Sequence, residues 1–189
     1  MSVTLQALDV HRLDDFAALF HAGGSGCFCA SWRAMDGTWN ARCRDPSRPN
    51  LAITRRNVEA GLHIGFLAYE NHKVVGWVAA GPKTSFPTLR SERLGARLSP
   101  FRDEVWAIGC LAVGEHGANL IEVAPRIVSA AIAAAREARA VAIESYPTRP
   151  YDVARAYRGS EDLFSALGFE VVGHESDGSS DILLMSMSL

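Results

Sequence analysis

The chain has 189 residues, 48% apolar and 21% charged, with 19 Lys and Arg against 21 Asp and Glu. That length and composition fit a single folded domain spanning 1–189 and exclude a disordered chain, because enough apolar surface is available to offset the entropy of ordering. The near-neutral balance excludes the basic excess of a nucleic-acid binder, no apolar run reaches the roughly 20 residues that span a bilayer, and the N-terminus lacks the basic and apolar regions of a secretory signal; a cytoplasmic protein with no nucleic-acid or membrane partner is the expectation.

Residues 3–8 alternate, with Val3, Leu5 and Ala7 on one side, and predict a short strand. Leu13, Phe16, Ala17 and Phe20 recur at helical spacing, so a helix over 11–21 is expected, stopped by Gly23-Gly24. Residues 22–50 are rich in Gly, Arg, Pro and aromatics and read as a loop or broken helix. A second helix follows over 51–61. The runs 64–70 and 73–81 flank Asn71-His72, which suits a tight hairpin. Residues 82–103 read as a basic surface loop. VWAIGCLAV, at 105–113, is almost wholly apolar and suits a strand buried on both faces. An Ala-rich helix over 120–139 and an apolar strand over 140–146 come next, a pattern that predicts a parallel pair joined by a crossover. Ser160 is placed to cap a short helix that Gly168 ends. A hairpin over 169–175 and 181–188 closes the chain. The expected architecture is α/β, a seven-stranded mixed sheet with helices on both faces.

Element order and several segments resemble the GNAT N-acetyltransferase superfamily. GFLAYENHKVVGWVAAGP is similar to its second and third strands, VWAIGCLAV to its fourth, AIESYP to its fifth, and LFSALGFEVVG to its closing helix and sixth strand; CFCASWR resembles a loop of one uncharacterised bacterial branch. The resemblance covers essentially the whole chain. It implies a GNAT-like fold whose fourth and fifth strands splay apart around acetyl-CoA, with the acetyl group passed to a small-molecule amine. It places the pantetheine arm on Cys110, Leu111, Ala112 and Val113 and the pyrophosphate on Gly117, Ala118 and Asn119 at a helix N-terminus, where unpaired N–H groups and the helix dipole favour anions. Association as a homodimer is a further expectation from the resemblance.

Two features, the phosphate loop and one position of the last helix, depart from the family pattern. Counting back from Ile127-Val128 puts Asn119 at the basic position of the phosphate loop and Glu122 at its first glycine; together they form a capping pair that would satisfy the helix end internally. Phe164 stands where many members carry a proton-donating Tyr. Both departures favour an alternative reading, a GNAT-fold binding or regulatory module without catalysis.

Amide formation needs an amine freed of its proton, since an alkylammonium has a pKa of about 10.4, and a donor for the oxyanion. Glu104, at the start of the fourth strand, is the candidate base by location, and Glu144 and Tyr146 stand at the end of the fifth, where parallel strands present a ligand crevice; Glu104 and Tyr146 are the catalytic candidates. His116 is a phosphate contact, a base or a merely exposed loop residue. Cys27, Cys29 and Cys43, with His21, would be either zinc ligands or small packed thiols; Cys-x-Cys is not the usual knuckle spacing, so no metal is expected. Trp77 and Trp106 read as core, or as a wall of an acceptor pocket. Lys83, Arg90, Arg93, Arg97 and Arg102 make the 81–102 stretch basic, as a solvated loop or as a steering surface for an acidic substrate.

Overall fold

Asn71 and His72 both take left-handed backbone, with φ of +49° and +62°. Two consecutive such residues make the turn whose twist matches a β-hairpin, and they join β2 (Phe66–Glu70) to β3 (Lys73–Pro82). This hairpin is the first half of the sheet in the computed structural model, which describes residues 3–62, 65–90, 99–114, 120–176, 178 and 180–189. β1 (Thr4–Ala7) lies antiparallel on β2, and β4 (Val105–Val113) lies antiparallel on β3. β5 (Ala142–Ser145) runs parallel to β4, and β8 (Asp181–Ser188) antiparallel to β5.

Among the described residues the sheet has eight strands, one more than the sequence predicts. The added strand is β6 (Thr148–Arg149), paired to Ile182 and Asp181 of β8. Two residues between prolines carry no periodicity, so nothing in the sequence marks them. β7 (Glu170–Ser176) pairs with the same β8 residues that β5 and β6 use, and therefore occupies the opposite edge of β8. β5 and β6 thus lie end to end along one edge of β8 in one unbroken register, with the Leu183 N–H donating to the Pro147 carbonyl between them at 2.8 Å.

Among the described residues five α-helices cover the sheet: α1 (Leu13–Ala22), α2 (Trp39–Cys43), α3 (Pro49–Glu59), α4 (Leu120–Glu137) and α5 (Glu161–Ala166). α2 falls in the stretch the sequence reads as a loop or broken helix. On one face Phe16, Phe20, Phe28, Trp77, Cys110 and Tyr146 form a core under α1 and the loops. On the other, Ile108, Ile127, Val128, Ile143 and Phe164 form a second core under α4 and α5. Ile127 and Val128 are wholly buried, and burial of each such side chain contributes roughly 1.5–3 kcal/mol. The expected cap is present: Ser160 Oγ accepts from the Leu163 N–H at 3.2 Å. Gly168, at φ +91°, ends α5 as expected. No described helix is long and apolar enough to cross a membrane.

Candidate functional site

β4 and β5 stay together for four residues only, Val105–Ile108 against Ala142–Ser145. The separation has a local cause. Against β3, Ala80 pairs with Ile108 and Ala79 with Cys110, so Gly109 is an extra residue in β4, a bulge. A bulge bends its strand and raises its twist. Beyond it, Cys110–Val113 keep their β3 partners but have no β5 partner, while β5 ends at Ser145 and the chain runs on along β8 into β6. The bulge also reverses the alternation: Ala107 and Cys110 face the first core, Ile108 and Leu111 the second. The result is a wedge between two parallel strands, open at their C-terminal ends, where such sheets bind ligands.

The wedge is walled by residues from distant parts of the chain. Trp32 closes a 3-10 turn (Ala30–Trp32) and lies flat against the bulge: a Cβ added at Gly109 would fall 2.8 Å from its indole. Glycine is needed there because the ring takes the place of a side chain. Phe86 and Tyr146 each stand 6.3 Å from the Trp32 ring, centroid to centroid. Thr88 Oγ1 donates to the Trp32 carbonyl at 3.0 Å and fixes the turn. From the other side Val153–Arg158 brings the Arg158 guanidinium over Trp32 at 5.1 Å and over Tyr157 at 5.5 Å. One Arg158 Nη donates to the Tyr146 carbonyl at 3.3 Å. Three buried polar atoms have no hydrogen-bond partner among the described residues: Trp32 Nε1, Ser145 Oγ and Arg158 Nε. All three belong to this wedge, and Ser145 is the last β5 residue paired to β4.

Beside it is a closed polar network. Lys83 Nζ donates to Glu144 Oε2 at 2.8 Å, and the Tyr146 hydroxyl donates to the same oxygen at 2.8 Å. Ser99 Oγ donates to Glu144 Oε1. Lys83 and Glu144 side chains are 0% and 3% exposed, so this is a buried ion pair. Burial, then the charge of Glu144 and its hydrogen bond, push the Tyr146 phenol well above its usual range; it is a neutral donor at physiological pH. Lys83 is accordingly no part of a solvated loop, and its charge is spent inside the protein.

The structure brings only part of the expected site together. Tyr146 reaches the wedge. Glu104 does not: it is exposed, in the turn before β4, and its carbonyl accepts from Val141 N at the closed end of the strand pair. Five residues separate it from Gly109, about 16 Å of extended chain. Cys110 and Leu111 are buried and Ala112 and Val113 half-buried along the unpaired part of β4. Gly117, Ala118, Asn119 and His116 lie outside the described residues, as do Arg93 and Arg97. Glu122 is exposed on the first turn of α4. Phe164 is fully buried, 5.2 Å from the Phe169 ring. Trp77 is also core, its indole N–H on Cys29 Sγ at 2.9 Å. Trp32 and Arg158 carry no motif; Trp32 falls inside CFCASWR, but no spacing in the sequence joins it to Arg158.

Asn50 donates to the Gly26 carbonyl at 3.0 Å and to Cys43 Sγ at 3.5 Å, while Cys29 accepts from the Trp77 indole. Burial, reinforced by the neighbouring Cys27 thiol, pushes Cys43 up to about 11. Only the thiolate is alkylated, so iodoacetamide labelling of Cys43, followed by peptide mass, is expected to be slow at pH 8 and to rise steadily towards pH 11. A rate already at its plateau by pH 9 contradicts this environment.

No family model matches the chain, and no curated protein matches it. Solved structures do. PaiA N-acetyltransferase of Thermoplasma acidophilum, in complex with coenzyme A, superposes with a TM-score of 0.55 at 14% identity, covering 100% of each chain. A protein assigned to the GNAT family from Desulfovibrio desulfuricans gives 0.58 at 11% identity, over 99% of each chain. Aminoglycoside acetyltransferase AAC(6')-Ib, bound to ribostamycin and coenzyme A, gives 0.64 at 15% identity, over 100% of this chain and 94% of the other. The chain has the GNAT acyltransferase fold. The GNAT resemblance seen in the segments therefore holds for the architecture, including the mixed sheet and its parting central strands.

Proposed function

We propose that this GNAT-fold protein is an N-acetyltransferase that moves an acetyl group from acetyl-CoA to a small-molecule amine. The observation that carries the reading is the unpaired edge of β4 beyond the Gly109 bulge, beside the end of β5. Backbone groups along Cys110–Val113 suit an extended pantetheine arm, which would take the place of a neighbouring strand. Coenzyme A and acetyl-CoA in the structures of several neighbours support the same reading. In this reaction the amine nitrogen attacks the thioester carbonyl, the new C–N bond forms, and the C–S bond breaks. A backbone N–H of β4 steadies the oxyanion. The Tyr146 oxygen takes the proton the amine sheds and passes its own to Glu144, the acceptor it already holds. The thiolate is protonated by water, since Phe164 has no proton to give. Holding the two reactants in one wedge supplies much of the rate.

Addition of acetyl-CoA at 100 times its dissociation constant is expected to raise stability by about 2.7 kcal/mol, read as an upward shift of Tm, and to release free thiol when an acceptor amine is present. No Tm shift at millimolar acetyl-CoA rejects the reading. A second reading, a binding module without catalysis, is favoured by the burial of Phe164 and by the carboxylate of Glu122 on the first turn of α4; a shift with no thiol release across an amine panel supports it. If Glu122 repels the diphosphate, Glu122→Gln tightens acetyl-CoA binding about two- to fivefold, the worth of one charge at a helix end. Unchanged or weaker binding by calorimetry removes that account.

A further inference from the structure

We infer that the acceptor of this GNAT-fold protein carries a carboxylate, held by Arg158 and Trp32, so that the substrate class is amino acids or amino-acid-like amines; this rests on the acetyltransferase reading. The two side chains stack at 5.1 Å, and each has a buried N–H without a partner among the described residues, Trp32 Nε1 and Arg158 Nε. Trp32 as a whole is 4% exposed. Buried donors are nearly always paired, and two adjacent ones lack the same thing, an acceptor oxygen. Charge decides what kind of oxygen. Arg158 is always a cation, and among the described residues its contacts are the two rings and the Tyr146 carbonyl, with no carboxylate. Glu144, the buried acid next to Tyr146, is already matched by Lys83. The Arg158 charge is therefore left for a ligand, and a planar guanidinium is shaped for a carboxylate.

The acyl donor's phosphates are too far away to be that anion. Trp32 and Arg158 meet at Gly109 and Tyr146, at the apex of the wedge, whereas Val113, the end of β4 from which the chain leads on towards α4, is four extended residues or about 13 Å further along the strand. A group bound at the apex belongs to the acceptor. Its oxygen enters by lifting the guanidinium off the indole, and both orphan N–H groups then have a partner. The aromatic walls of Phe86 and Tyr157 suit an apolar side chain.

The test is by NMR on the full chain labelled with 15N, following the Trp32 indole Nε1–H (assigned by Trp32→Phe) and the Arg158 Nε–H. The probes are N-acetyl-L-leucine and N-acetyl-L-leucinamide, which differ only in the carboxylate. The acid is expected to move both resonances and to bind at least tenfold more tightly than the amide. Arg158→Gln is expected to erase that preference and Arg158→Lys, which keeps the charge without the fork, to reduce it; an unmoved Trp77 indole resonance shows that each variant is folded. Equal binding of acid and amide overturns the inference, as does a response of both resonances to coenzyme A alone and not to the acid. Acid binding in a protein that does not bind coenzyme A keeps the carboxylate subsite and rejects the acetyltransferase reading, so the two failures are separate.

Discussion

Lys83→Met is expected to destabilise the fold by about 3–5 kcal/mol, because it strands Glu144 in a site from which water is excluded. The carboxylate keeps two donors, the hydroxyls of Tyr146 and Ser99, so the lower part of that range is expected. Against a domain stability of about 5–15 kcal/mol this is a large fraction, and it should be plain in the midpoint of guanidinium unfolding. The double variant Lys83→Met/Glu144→Leu removes both charges together and should recover most of the loss, since a buried ion pair is often no more stable than apolar groups of the same volume. A loss below about 1 kcal/mol for Lys83→Met would mean that the ammonium is not the partner that matters. Acetyl transfer should separate the two effects: the double variant folds but lacks the acceptor for the Tyr146 proton, and its turnover should fall without recovering.

Gly109→Val is the second large effect. Its first side-chain atom falls 2.8–3.0 Å from three atoms of the Trp32 indole, closer than real contacts allow. The ring must move, and such overpacking costs about 1–3 kcal/mol. Because Trp32 walls the acceptor end of the wedge, the displaced ring should also weaken binding of N-acetyl-L-leucine by about tenfold or more, the equivalent of at least about 1.4 kcal/mol. An unchanged affinity for N-acetyl-L-leucine in Gly109→Val would detach Trp32 from the acceptor site.

Much of this arrangement is local in origin and legible in the residue order. The β2–β3 turn at Asn71-His72, the capped α5 with its terminal Gly168, and the apolar β4 follow from periodicity and turn chemistry, which act over a few residues. The Ala-rich run between two apolar strands predicts the parallel pair β4 and β5, and that these strands part was implied by the resemblance to the GNAT superfamily alone. The sequence was less informative where pairing depends on a partner far along the chain. β6 is two residues whose only identity is their ladder to β8. Glu104 stands just before β4, at the end where β4 and β5 are paired, whereas the wedge opens at their C-terminal ends, beyond a Gly109 bulge that no residue pattern marks.

What the sequence determined by itself was the set of elements, their order and the apolar faces that must be buried, because these are set by neighbours three or four residues apart. Tertiary structure alone decided which polar groups meet. Lys83 and Glu144 are 61 residues apart and Trp32 and Arg158 lie 126 apart, and no short-range pattern encodes such pairs. They are fixed by the twist that a single inserted glycine gives to β4 and by the cost of leaving a buried charge unpaired.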